Sequence, residues 1–321
     1  MLRTIDGGNL PHILDRIASH RRALASVLPV GVAHHHCGNP SSALQLEKLY
    51  GGPVLFSGLA SLVLSCKEIS AIHRHHRATL CRLQKLAPNT PDSVVYFLAG
   101  SLPGIALLHL KQLGLFGMLA RQGRESILVS LGIQALQYKG KGSSRSWFSQ
   151  LRSITQQYGL KDPLLYLQSP QTKLTWKNEC KAKVISWWET KLRGEADLLT
   201  SLTYFHPSFM SLAKPHPVWT LAESPFEVKK AVTMANMLSG RYVTDHRSRY
   251  WSASNPQGNC QLCLLENFPE TPGTLEHLLL SCPALADVRK DTTSHWSAYM
   301  VDKPFLLPLV SNHTINLGEG V

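Results

Sequence analysis

Apolar residues recur at three- and four-residue intervals along most of the chain, and that period predicts a mainly α fold. Residues 10–28 open the pattern. Leu10, Ile13, Leu14, Ile17, Ala18, Leu24, Val27 and Leu28 line one side of a helix, with Arg16, Arg21 and Arg22 on the other. Pro29 is expected to end it. Residues 41–66 read as two helical pieces interrupted by Gly51-Gly52-Pro53. In residues 67–86 an apolar stripe of Ile69, Ile72, Leu80, Leu83 and Leu86 faces Arg74, Arg77, Arg82 and Lys85, with Glu68 as the single acid. That is a basic amphipathic helix whose charges have few partners on the helix itself.

Two more apolar helices are expected over residues 92–122, hinged at Gly100-Ser-Leu-Pro103-Gly104, before a polar linker from Lys139 to Arg145. A long helix over residues 172–199 turns Cys180, Val184, Trp187, Trp188 and Leu192 inward and sets Lys173, Lys177 and Lys181 in a row. The tryptophan pair reads as core rather than as a base-stacking platform. Ser224-Pro225-Phe226-Glu227 is a capping box with proline at the first helical position, and Gly240 closes the helix it starts. The resulting segments are 1–40, 41–140, 141–240, a small module at 241–290, and a tail at 291–321 expected to be partly disordered.

A chain of 321 residues with 44% hydrophobic content has room for two or three domains. Uncharged runs at 49–66 and 93–110 raise the question of membrane spans, but each is about 18 residues long and broken by Gly and Pro, so buried core is the expectation. The charge is distributed unevenly. The chain holds 33 Lys+Arg and 21 Asp+Glu. Through Gln150 there are 16 and 6, a net of +10; the remaining 17 and 15 leave +2. Nine of the fifteen histidines also lie in that first part. The excess suggests a polyanion-facing surface, against the plainer reading of charge for solubility.

The chemistry is concentrated further on. Cys260-Gln-Leu-Cys263 is followed by His277-Leu-Leu-Leu-Ser-Cys282, which gives Cys-x2-Cys-x13-His-x4-Cys. Both pair spacings suit one structural Zn2+, and with four protein ligands the site is closed rather than catalytic. Thr274 should cap a short helix at 275–281, with His277 in its first turn. Five residues of α-helix would set His277 and Cys282 about 140° apart. Pro283 disfavours helical geometry at Cys282, so that ligand can swing back. A hairpin is expected at Cys260–Cys263. Seven cysteines and an N-terminus without an apolar signal region point to a reducing, intracellular setting, nucleus or cytoplasm, where metal is favoured over disulfides.

Two neighbouring features need weighing. His34-His35-His36-Cys37 lies in a Gly/Pro loop without ligand spacing and reads as solvated. Arg241, Tyr242, Arg247, Arg249, Tyr250 and Trp251 interleave cations with aromatics, as phosphate pairing combined with base stacking requires. Aromatic packing onto the zinc module is the equal alternative.

Taken in order, these motifs resemble the C-terminal portion of a LINE-type (non-LTR) retrotransposon reverse transcriptase. Asp15-Arg16-Ile17 through Tyr50-Gly51 and Leu55 to Leu59 resemble the passage after the palm. Residues 67–86 and Gly100-Ser-Leu-Pro103 resemble the thumb and connector. Residues 147–158, 188–202 and Ser239-Gly240-Arg241-Tyr242 resemble the linker, and Cys260, Cys263, His277 and Cys282 match the zinc knuckle. The family's Tyr-x-Asp-Asp strand has no counterpart, since no Asp-Asp pair occurs anywhere, and its endonuclease domain is absent. The 33–40 loop also departs from the family's Gly- and Asn-rich pattern.

The resemblance therefore implies a noncatalytic, zinc-stabilised fragment that binds RNA or an RNA/DNA template–primer, with no membrane and no small-molecule substrate. The alternatives are a structural or protein-interaction zinc module, a nuclease or polymerase acting with a partner chain, and a relic reading frame without selected function.

Overall fold

The computed structural model describes residues 8–32, 38–122, 126–137, 146–202, 205–207 and 210–290. The histidines at 34–36 with Cys37, the linker at 139–145 and the tail after 290 lie outside them. The fold is mainly α. No strand occurs among the described residues, and their one isolated antiparallel bridge joins Asn259 to Pro272.

The chain starts with α1 (Leu10–Val32) and α2 (Pro40–Leu46), the latter capped by the Asn39 side chain, which accepts from Ser41 N at 2.8 Å. Helix α1 runs on through Pro29, contrary to expectation; the missing N–H removes one intrahelical bond without stopping the helix. The Gly-Gly-Pro sequence is likewise not a break. A π-helical turn at Glu47–Gly51 leads straight into α3 (Gly52–Leu55). Glycine is needed here because a Cβ on Gly51 would lie 2.9 Å from His20 Nε2 on α1.

Helix α4 (Cys66–Leu83) begins with a capping box of Ser65 and Glu68. Its Ile72 joins Ile13, Ile17, Leu55, Leu59 and Leu108 in one core, and Leu80 is buried as well. Then come α5 (Asp92–Ala99), buried from Ser93 onward, and α6 (Gly104–Ala120). The peripheral helices are α7 (Ile127–Gln137), α8 (Trp147–Gln157) and α9 (Pro163–Gln168). Helix α10 (Lys173–Asp197) lies along α5 and α6; Trp176 is buried and its indole N–H donates to Leu113 O at 2.9 Å. Trp188 is core, as its helical position requires, and donates to Tyr158 Oη at 3.1 Å; Trp187 is only half-buried.

After α11 (Pro217–Thr220), which seats Trp219 against Gln84 on the α4 end, α12 (Pro225–Leu238) opens on the expected capping box. Gly240, at φ +63°, closes it: Arg241 N donates to Asn236 O at 2.8 Å, the helix stop that favours glycine. Short helices α13 (Asp245–Ser248) and α14 (Gln261–Leu265) follow.

The described residues of Met1–Thr200 and Met210–Ala235 form one compact unit, and those of Ser201–Phe209 and Asn236–Val321 a second. Within the first unit α1 packs on α2, α3 and α4, and α10 lies against α5 and α6. No single described helix is long and apolar enough to cross a membrane; α5 and α6 meet that length only as a pair bent by 60°.

Two buried histidines make the first unit acid-sensitive. His109 meets Tyr158 Oη through Nδ1 at 2.8 Å, and His216 Nδ1 accepts the Val218 N–H at 3.1 Å. Burial lowers both to about 4. The folded state holds them neutral, so the stabilisation is complete above pH 6.5 and is lost as pH falls toward 4. Between pH 7 and 5 each should withdraw about 2 kcal/mol. Urea midpoints measured at the two pH values check this, and His109→Gln should flatten the dependence. An unchanged slope in that variant would contradict the assignment.

Candidate metal centre

Each of the four predicted ligands reaches the site from a different local device. Cys260 caps α14 with extended geometry (φ −64°, ψ 114°), and Cys263 follows within the helix. The expected hairpin at Cys260–Cys263 is thus replaced by a helical turn. Strand-like pairing occurs only just outside it, where Cys260 N donates to Thr271 O at 2.8 Å and Gly273 N to Gly258 O at 2.9 Å.

The second pair also differs in kind from expectation. Thr274 accepts from His277 N at 3.0 Å, as a cap should, but His277–Ser281 is a π-helical turn rather than α-helix. A π turn closes from i to i+5, which is the His277–Cys282 separation. The ligands therefore share one side without the full unwinding that α geometry would demand. Cys282 is extended (φ −63°, ψ 116°) ahead of Pro283, as expected.

The donor atoms converge. Cys263 Sγ lies 3.3 Å from His277 Nε2 and 3.5 Å from Cys282 Sγ, and Cys260 Sγ lies 3.9 Å from Cys282 Sγ. All four are within 4.8 Å of one another and buried. Two thiolates bound tetrahedrally at about 2.3 Å from one zinc ion sit roughly 3.8 Å apart, whereas a disulfide needs about 2.05 Å. The cysteines are free. His277 Nδ1 faces Ser281 Oγ at 3.4 Å, which orients the ring with Nε2 toward the sulfurs.

Burial and the neighbouring thiols push Cys263 up to about 12. That thiol keeps its proton until a divalent cation displaces it. A Cys3His set that can hold one metal ion is thus present.

The aromatic and basic segment just upstream is anchored to this centre by Asp245 and His246, which belong to no ligand motif. Asp245 Oδ2 accepts from Gln261 N at 3.0 Å, and His246 N donates to Gly273 O at 3.1 Å. Gly258 and Gly273 make room: a Cβ would lie 2.7 Å from His246 Cα or 2.6 Å from Asp245 Cβ. On this platform Tyr250 is 72% and Trp251 63% exposed, so neither packs into the module. The Arg249 guanidinium lies over the Tyr250 ring at 4.8 Å. Tyr242 is exposed and Arg241 half-exposed just beyond α12.

Arg247 was expected to face nucleic acid, but its guanidinium donates to the Gly240 carbonyl and braces the segment. Arg77 on α4 is engaged in the same way, with Asp92 and the carbonyls of Pro88 and Thr90. Arg74, Arg82 and Lys85 stay exposed. The first unit carries another cationic feature: Lys173, Lys177 and Lys181 of α10 line a cleft with Arg121, just past the end of α6, and with Leu110, Trp176 and Cys180.

Comparisons with protein-family models, curated proteins and solved structures return no match.

Proposed function

We propose that this chain is a noncatalytic, zinc-stabilised RNA-binding protein related to the C-terminal portion of a non-LTR retrotransposon reverse transcriptase. One observation carries the reading: Tyr250 and Trp251 stand exposed beside Arg249 on a segment clamped to the Cys3His centre through Asp245 and His246. Exposed aromatics with an adjacent guanidinium suit stacked, unpaired bases and their phosphates. The chain's net charge of +12 and the cleft rimmed by Lys173, Lys177 and Lys181 support a polyanionic ligand. The motif order from thumb to knuckle supports the ancestry. The lack of any Asp-Asp pair supports a binding rather than a polymerising role.

Base stacking is worth about 1–3 kcal/mol per base. Trp251→Ala should therefore weaken single-stranded RNA binding by roughly 5- to 160-fold while zinc content stays unchanged. Fluorescence anisotropy with a labelled oligonucleotide measures it; wild-type affinity in the variant would refute the stacking role.

A protein partner is the second reading, favoured by Leu265 and Val288, which are 78% and 58% exposed on the zinc module. Co-purification that survives nuclease treatment would favour that reading.

A further inference from the structure

A second cluster of ligating side chains lies in the other unit, far in sequence from the cysteines. His20 of α1, Glu47 of the π turn and His76 of α4 are all buried, with side-chain exposures of 0%, 5% and 0%. His20 Nε2 and His76 Nε2 each lie 3.7 Å from the same oxygen, Glu47 Oε1. None of these three atoms has a hydrogen-bond partner. Buried polar atoms are nearly always satisfied, so three orphans facing one point need an explanation.

The 3.7 Å separations supply one. They are too long for hydrogen bonds. They are close to what two donors adopt when both sit about 2.1 Å from one ion at roughly 120°. Charge points the same way. A buried carboxylate needs a positive counterpart, and among the described residues no lysine or arginine comes within ion-pair distance of Glu47.

The surroundings fit as well. His20 Nδ1 meets His75 Nε2 at 2.9 Å, which holds the His20 ring with Nε2 turned to the carboxylate; metal-ligating histidines are oriented by a partner in this way. Glu47 also lines a cleft of about 340 Å3 with Lys48, Leu80 and Gly100, which offers an entry path. The π turn that carries Glu47 is a type of irregularity found at functional positions more often than elsewhere.

We propose that His20, Glu47 and His76 bind a second divalent transition-metal ion, zinc by donor type, which staples α1, the π turn and α4 together. Two imidazoles and a carboxylate leave one position for water. Both imidazoles stand 3.7 Å from the carboxylate oxygen, so loading must draw the donors around the ion by side-chain rotation.

The test is metal stoichiometry by elemental analysis on full-length protein reconstituted with zinc and freed of loose ions. Wild type should hold two equivalents, and Glu47→Gln and Cys263→Ser one each. Cobalt substitution assigns the survivors: sulfur-to-metal absorption should persist in Glu47→Gln and vanish in Cys263→Ser. One equivalent in wild type, lost with Cys263→Ser, would overturn the proposal and mean that water or a shared proton fills the cluster. Two equivalents in a folded Glu47→Gln would overturn it too. If that variant does not fold, the metal left in Cys263→Ser decides alone: one equivalent upholds the second site, and none overturns it. RNA affinity plays no part in these readings, so the outcome is independent of the proposed function.

Discussion

Cys263→Ser should abolish zinc binding at the Cys3His centre and unfold the module around it while leaving the first unit folded. The reason is that the described residues of the module form no other core. Its buried apolar cluster consists of Cys260, Cys263 and Cys282 themselves, edged by Leu278, Ala284 and Leu285. Structural zinc contributes on the order of 10 kcal/mol of apparent binding free energy in small finger peptides. Four short helical turns and one β-bridge cannot replace that. Asp245 and His246 would lose their anchors at Gln261 and Gly273, so the Arg249–Trp251 segment should loosen as well. Limited proteolysis checks the outcome: new cleavage should be confined to residues 241–290. Wild-type zinc content and protease resistance would contradict it.

Gly100→Ala should destabilise the first unit by about 3 kcal/mol or more. Gly100 caps α5 at φ +57°, where a side chain costs about 1–2 kcal/mol. The larger problem is steric. An added Cβ would fall 1.9 Å from the Lys214 carbonyl carbon and 2.2 Å from Pro215 N, both backbone atoms that cannot rotate away. This backbone is held in place, since His216 N donates to Leu98 O at 3.0 Å. Forcing it aside adds roughly 1–3 kcal/mol. The expected fall in Tm is about 6–12 °C. Gly159→Ala is the matched control: φ is +63° and the space around it is open, so only the conformational part applies. Equal losses in the two variants would show that the close approach at Gly100 contributes nothing.

Features governed by local physics were legible in the sequence. The Ser224/Glu227 capping box, the Gly240 stop and the buried face of α10 follow from spacing and side-chain type alone. So do the four cysteine-site ligands, because both pair spacings are local and Pro283 restricts Cys282. The hidden features depend on partners remote in sequence. Arg77 and Arg247 look like free cations until Asp92 and the Gly240 carbonyl are brought beside them. Residues 20, 47 and 76 show no ligand spacing, and only the packing of α1, the π turn and α4 places them together. Backbone irregularities were hidden for another reason: a π turn adds one residue to a helical turn without any signature in composition. Gly51-Gly52-Pro53 signalled a break for the same reason, although its glycine serves the close approach of α1.

The proposal that this chain grips polyanions is tested most directly by RNA affinity across a salt series. Contacts to phosphates release counterions, so log affinity should fall linearly with log salt at about 0.7 per contact on a single strand. With Arg249 and the three α10 lysines as contacts, a slope of about −3 is expected for zinc-loaded protein. Affinity that stays flat from low to moderate salt would contradict the account.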